Sequence, residues 1–228
     1  MSQRIQNYIA EKGDVQIVRC CTPKYKLKEF AAKMPEDYRE QWCSLPDSGS
    51  FSDGDMVYSI CHNCTAILTE TKPTVIVKSF WELILEDDTF LFPSYPDRSV
   101  IVQDCWRSRQ HIQEQKAVRE LLSKMQISYR EQEECFENTD FCGTTLYSAC
   151  IPRNKVLAPK HFVDDAEGKF VPHTENEKME LMKSYCRKFQ DQEVLTYCHY
   201  CQEGLELGGA NAVHLAELLF PCHDEIVL

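Results

Sequence analysis

Two stretches of this chain lie over each other without a gap, and that coincidence limits its fold more than any other feature. Val57-Tyr58-Ser59-Ile60-Cys61-His62-Asn63-Cys64 and Val194-Leu195-Thr196-Tyr197-Cys198-His199-Tyr200-Cys201 each carry strand-forming residues into a C-H-x-C turn. Downstream, Glu82-Leu83-Ile84 falls on Glu217-Leu218-Leu219, and upstream Val15 to Cys20 resembles Val100 to Cys105, again a strand running into cysteine. Residues 14–90 and 99–222 therefore read as two copies of one unit, the first compressed and the second more complete. This places a compressed cysteine-rich half-domain at 1–92 and a fuller one at 93–228, with an insertion at 150–173.

Short apolar runs alternate with helical patterns throughout. The strands are expected at 14–18, 56–60, 75–77, 100–102, 127–129 and 193–197. Helices are expected from the Lys-rich stretch up to Met34, from the turn at Cys64, at 80–85 behind a Ser79/Glu82 capping box, and at 110–125, 175–189 and 212–220. Asp47 to Ser50 reads as loop and Pro152 to Pro172 as irregular. The pattern is α/β, two related half-domains with short parallel strands and flanking helices. Cysteines stand where strands end, and ligands in such folds bind outside the carboxyl ends of strands.

Thirteen cysteines in 228 residues is a large and odd number. Met1 to Val18 lacks the apolar core of a signal peptide, so metal or redox chemistry in the cytoplasm is expected rather than a disulfide framework. The same reasoning discounts the sequon Asn63-Cys64-Thr65. A net charge of −11 argues against a nucleic-acid partner, and no run approaches the ~18 apolar residues of a membrane span. No G-x-S-x-G, H-E-x-x-H or phosphate-binding glycine loop is present.

Thiolates are soft ligands for iron–sulfur clusters or zinc, and a C-x-x-C turn lets two of them reach one centre. His62 and His199 sit inside the motifs and read as helix-start or supporting residues more than as ligands. Cys135, Cys150, Cys186 and Cys222 read as small buried hydrophobes, and Trp81 and Trp106 as core. Arg107 and Arg109 either form a solvated helix start or offset the charge of a thiolate centre. A dithiol redox site at a C-x-x-C is a further reading.

The second half resembles the cysteine-rich (CCG) domain family found in heterodisulfide reductase and related iron–sulfur oxidoreductases. The resemblance is carried by Val100 to Arg109, which is similar to the family's strand and D-P-C-H-x-x-R element, and by Val118 to Leu122, similar to its R-E-x-L helix. Phe141-Cys142-Gly143 stands at the Cys-Cys-Gly position and Leu195 to Leu219 at the closing C-P-x-C strand, turn and helix. The resemblance implies a cluster, of the 4Fe–4S type, on Cys105, Cys142, Cys198 and Cys201, with zinc the alternative. It implies an electron-transfer protein or one component of a disulfide reductase-like oxidoreductase, served by a separate redox partner, because no ferredoxin-type cysteine run is present. A zinc-stabilised or metal-free interaction module is the competing class. Phe141 replaces the first of the paired cysteines, and the interval from Cys142 to Cys198 is longer than the family's. In the first copy the cofactor-binding candidates are Cys20, Cys21, Cys61 and Cys64; either Cys20-Cys21 is the paired element, or Cys20 matches Cys105 and Cys43 the middle position.

Overall fold

The computed structural model describes residues 51–221, together with Tyr8, Glu11 and the backbone of Gln16–Val18. Cys20, Cys21, Cys43, Cys222, the helix expected up to Met34 and the Asp47 to Ser50 loop lie outside the described residues. The strands are β1 Gln16–Val18, β2 Met56–Ser59, β3 Ile76–Ser79, β4 Ser99–Gln103, β5 Ser128–Glu131, β6 Glu193–Thr196 and β7 Asn211–His214. The described α-helices are α1 His62–Thr71, α2 Phe80–Glu86, α3 Ile112–Lys124, α4 Pro152–Leu157, α5 Glu175–Cys186, α6 His199–Leu207 and α7 Leu215–Leu219. None is long and apolar enough to cross a membrane.

The chain forms two compact units, one of residues 1–83 with 151–167, the other of residues 84–150 with 168–228. In the first, three parallel strands run in the order β1-β2-β3. Helix α1 joins β2 to β3 and buries Cys64, Ile67 and Leu68. Its last turn is tightened by Thr69 and Thr71 hydroxyls donating to the carbonyls of Thr65 and Ile67 at 2.9 and 2.6 Å. The Ser79/Glu82 capping box starts α2: Ser79 N–H donates to the Glu82 carboxylate at 2.7 Å, and Glu82 N–H to Ser79 Oγ at 3.2 Å.

The stretch expected to be irregular after Pro152 contains α4, with proline in its first turn, and a π-helical turn at Lys160–Asp164. The orphan amides of that turn explain its placement in the first unit: Lys160 and His161 N–H donate to the Glu70 carboxylate on α1 at 2.9 and 2.8 Å.

The second unit holds a four-stranded parallel sheet in the order β5-β4-β6-β7. Val100, Val102, Val194 and Leu195 are buried in it, as are Val118, Leu121 and Leu122 of α3 and Leu205 of α6. The helix expected at 212–220 is instead β7 followed by the short α7. Ala212 and Val213 extend the sheet by pairing with Val194 and Leu195, and His214 Nδ1 then caps α7 by accepting from Ala216 N–H at 3.2 Å. The order strand, helix, strand, helix thus occurs twice along the chain, as β2-α1-β3-α2 and as β6-α6-β7-α7.

Candidate metal centre

From β4 the chain goes through α3 to β5 on one side, while β6 continues through α6 to β7 on the other. The carboxyl ends of β4 and β6 therefore flank the point where the winding reverses, the usual ligand crevice of a parallel sheet. Cys105 follows β4 by two residues and Cys198 follows β6 by two; their extended backbones start a 3-10 turn and α6 respectively. Cys201 lies one turn into α6, and Cys142 comes from the loop between β5 and α4. The four Sγ atoms are buried and lie within 4.8 Å of one another, Cys105 and Cys142 being 3.3 Å apart.

The approach of the Cys142 loop needs two glycines. Gly143 has φ +58°, and a Cβ there would stand 2.0 Å from the carbonyl oxygen of Tyr200. A Cβ on Gly204 would stand 2.4 Å from the Cα of Gly143. Backbone therefore packs on backbone between the loop and α6, and any side chain at either place would push Cys142 away from Cys198 and Cys201. Phe141 supplies no ligand. Its ring stacks on Tyr185 at 4.1 Å, and its carbonyl accepts from Trp106 N–H at 2.8 Å and faces Cys201 Sγ at 3.8 Å.

Arg107 answers the charge question that the sequence leaves open. It is 4 % exposed, its Nη1 donates to Cys142 Sγ and, at 2.9 Å, to Thr145 Oγ1, and Tyr200 and Phe170 lie against the guanidinium. A buried cation needs an anion, and the thiols of Cys142, Cys105 and Cys198 are the foremost of the groups whose charge supports it, followed by Tyr200. Burial opposes the Arg107 charge, yet Cys142, Cys105 and Cys198 hold it above its ordinary value. Burial also opposes the Cys142 thiolate, but Cys105 and Cys201 hydrogen bonds and the Arg107 charge bring it below the usual thiol range. Cys105 and Cys201 are pushed well above that range, by burial first and then by their sulfur neighbours. Arg109 lies over the Trp106 ring at 4.1 Å and donates from Nη1 to the Trp106 carbonyl at 2.9 Å.

Behind the sulfurs a buried polar network fixes the strand ends. Asp104, fully buried, takes both Arg119 nitrogens at 2.6 and 2.7 Å, the Tyr197 hydroxyl at 2.7 Å and Phe136 N–H at 2.9 Å. Arg119 also reaches Glu131, and Ser108 bridges the Tyr197 hydroxyl to the Cys105 carbonyl. Asp104 and Tyr197 directly precede Cys105 and Cys198, so the network sets both ligands at once.

Of the other candidates, Cys61 and Cys64 lie in the first unit at the head of α1, buried with Val57, Leu68 and Val75. His62 and His199 occupy the first positions of α1 and α6 and are not among the four converging ligands. Cys150 and Cys186 are buried, Cys186 Sγ lying 3.6 Å from the Leu205 carbonyl, and Cys135 is partly exposed. A parallel α/β unit with four thiols converging beyond its strand ends defines a protein that can bind a metal or cluster through cysteine. No family model, curated protein or solved structure matches the chain.

Proposed function

We propose that this is a metal–thiolate protein whose second unit holds one tetrahedral ion, zinc, on Cys105, Cys142, Cys198 and Cys201. The observation that carries the reading is the spacing of the sulfurs, all within 4.8 Å of one another. Zn–S bonds near 2.3 Å set a tetrahedral edge of ~3.8 Å, which these sulfurs meet with small shifts. A cubane cluster places a separate iron on each thiolate and so needs them farther apart. Four thiolates around a divalent ion carry a net double negative charge, and the buried Arg107 offsets part of it. With four protein ligands the coordination is closed, so the ion's part is to tie together the ends of β4 and β6, the Cys142 loop and α6. Cytoplasmic placement, where thiols stay reduced, fits this chemistry.

An iron–sulfur electron-transfer component with a separate redox partner is the second reading. It is favoured by the donors aimed at Cys142 Sγ, from Arg107 and from Thr145 Oγ1 at 3.7 Å, since hydrogen bonds to sulfur tune cluster potentials. Metal and sulfide analysis with absorbance, on protein made without oxygen, separates the two. Zinc without iron, one ion of which is lost in Cys142→Ser, supports the tetrahedral site; iron with acid-labile sulfide favours the cluster. Absence of both metals leaves a dithiol protein or a metal-free interaction module.

A further inference from the structure

Cys142 Sγ has a cation and a hydroxyl set beside it and a second sulfur close by. The Arg107 Nη1 that donates to this sulfur also donates to Thr145 Oγ1 at 2.9 Å. The Thr145 hydroxyl in turn donates to the Cys142 carbonyl at 2.7 Å and lies 3.7 Å from Sγ, so the guanidinium is locked against the sulfur between the Tyr200 and Phe170 rings. Its Nε is buried and finds no hydrogen-bond partner among the described residues. Charge compensation of a metal accounts for the cation, but not for a donor left idle, which is costly when buried and marks a place for a small acceptor.

A thiolate that attacks a peroxide needs such surroundings. The sulfur takes one oxygen and the other leaves as hydroxide, whose developing charge a preorganised cation stabilises. A second thiol must then reach the oxidised sulfur to close a disulfide. Cys105 Sγ stands 3.3 Å from Cys142 Sγ, and Cys142 is carried by a loop, so a small loop movement joins them. The site meets solvent at Arg107 and Cys198, 4 and 5 % exposed. Hydrogen peroxide, close to water in size, fits that access, whereas a peptide disulfide is too large for it.

We infer that Cys142 is a peroxide-oxidisable thiol resolved by Cys105, and that this oxidation ejects the metal. The inference rests on the metal–thiolate reading of the same site and deepens it. In the first step the O–O bond of hydrogen peroxide breaks, an S–O bond forms on Cys142, and hydroxide leaves as water with a proton from solvent. In the second the Cys105 sulfur attacks the Cys142 sulfur: the S–S bond forms, the S–O bond breaks, and the second oxygen leaves as water with a second proton from solvent. The two sulfurs lose two electrons and the peroxide gains two. Two of the four ligands are then gone, and Cys198 and Cys201 take up protons as the ion departs.

The test exposes zinc-loaded, unaltered protein to hydrogen peroxide, reads free zinc with a chromophoric chelator and maps the disulfide by peptide mass spectrometry. One zinc released per Cys105–Cys142 disulfide, reversed by dithiothreitol, is expected, and glutathione disulfide should release none. Thr145→Val keeps all four thiols and should slow release about tenfold or more, as loss of one preorganised group does; an unchanged rate overturns the inference. Zinc retained under peroxide, or released with any other disulfide or with none, also overturns it and leaves the metal centre standing. Protein that takes up no zinc overturns the metal reading, and formation or absence of the Cys105–Cys142 bond in peroxide-treated protein then decides the thiol step by itself.

Discussion

Arg107 is the residue whose role depends most on what the sulfurs hold. Its guanidinium is buried against Tyr200 and Phe170 and donates to Cys142, so it lowers the cost of gathering four thiolates in a dry site. Arg107→Gln should weaken zinc retention by about 10–100-fold, the usual effect of removing a supporting hydrogen bond, and Arg107→Lys by less. Competition with a chromophoric chelator reads both. Asp104 acts on the same ligands from behind. Asp104→Asn should destabilise the protein toward the lower end of the ~3–5 kcal/mol expected when a buried pair is broken, since Glu131 still faces Arg119. A denaturant midpoint that does not move would show that the network leaves the strand ends unconstrained.

At the scale of elements, the site depends on how closely the Cys142 loop meets α6. Gly143 and Gly168 both have positive φ, +58° and +70°, but only Gly143 has backbone where a Cβ would go. Gly168→Ala should cost only the ~1–2 kcal/mol of a left-handed L-residue. Gly143→Ala should cost more and should also lose the metal, and equal melting shifts with full metal retention in both would contradict the close-packed loop.

Here the limits of the sequence are physical. The C-H-x-C turns and the Ser79/Glu82 box are local and legible, because capping and thiol spacing are written within a few residues. Cys142 is reached from the sequence only through a family resemblance, since its place depends on Gly143 and Gly204 meeting across a long interval. The Asp104–Arg119–Glu131 pairing leaves no local signal for the same reason. β7 reads as helix in the sequence because Ala212 and Val213 are as compatible with an apolar helix as with a short strand, and pairing with β6 decides between them.

For the whole molecule, metal, protons and stability are linked. Burial holds the Cys105 and Cys201 thiols well above the ordinary range, so without metal they remain protonated at neutral pH and an incoming ion must displace those protons. Zinc affinity should therefore rise with pH. The folded, metal-bound chain carries fewer thiol protons than the unfolded one, so the stability the ion contributes is lost as pH falls. Chelator-induced loss of melting temperature should accordingly be large at about pH 8 and shrink toward about pH 5, where acid has already released the ion. A chelator effect that grows on acidification would contradict this linkage.

Each of these expectations depends on Cys105, Cys142, Cys198 and Cys201 holding one tetrahedral ion. That geometry is read most directly by zinc K-edge absorption spectroscopy on the zinc-loaded protein. Four sulfur neighbours near 2.3 Å are expected, with no nitrogen ligand and no short metal–metal distance. A shell containing nitrogen or water, or protein that carries iron and sulfide in place of zinc, would contradict the tetrahedral centre.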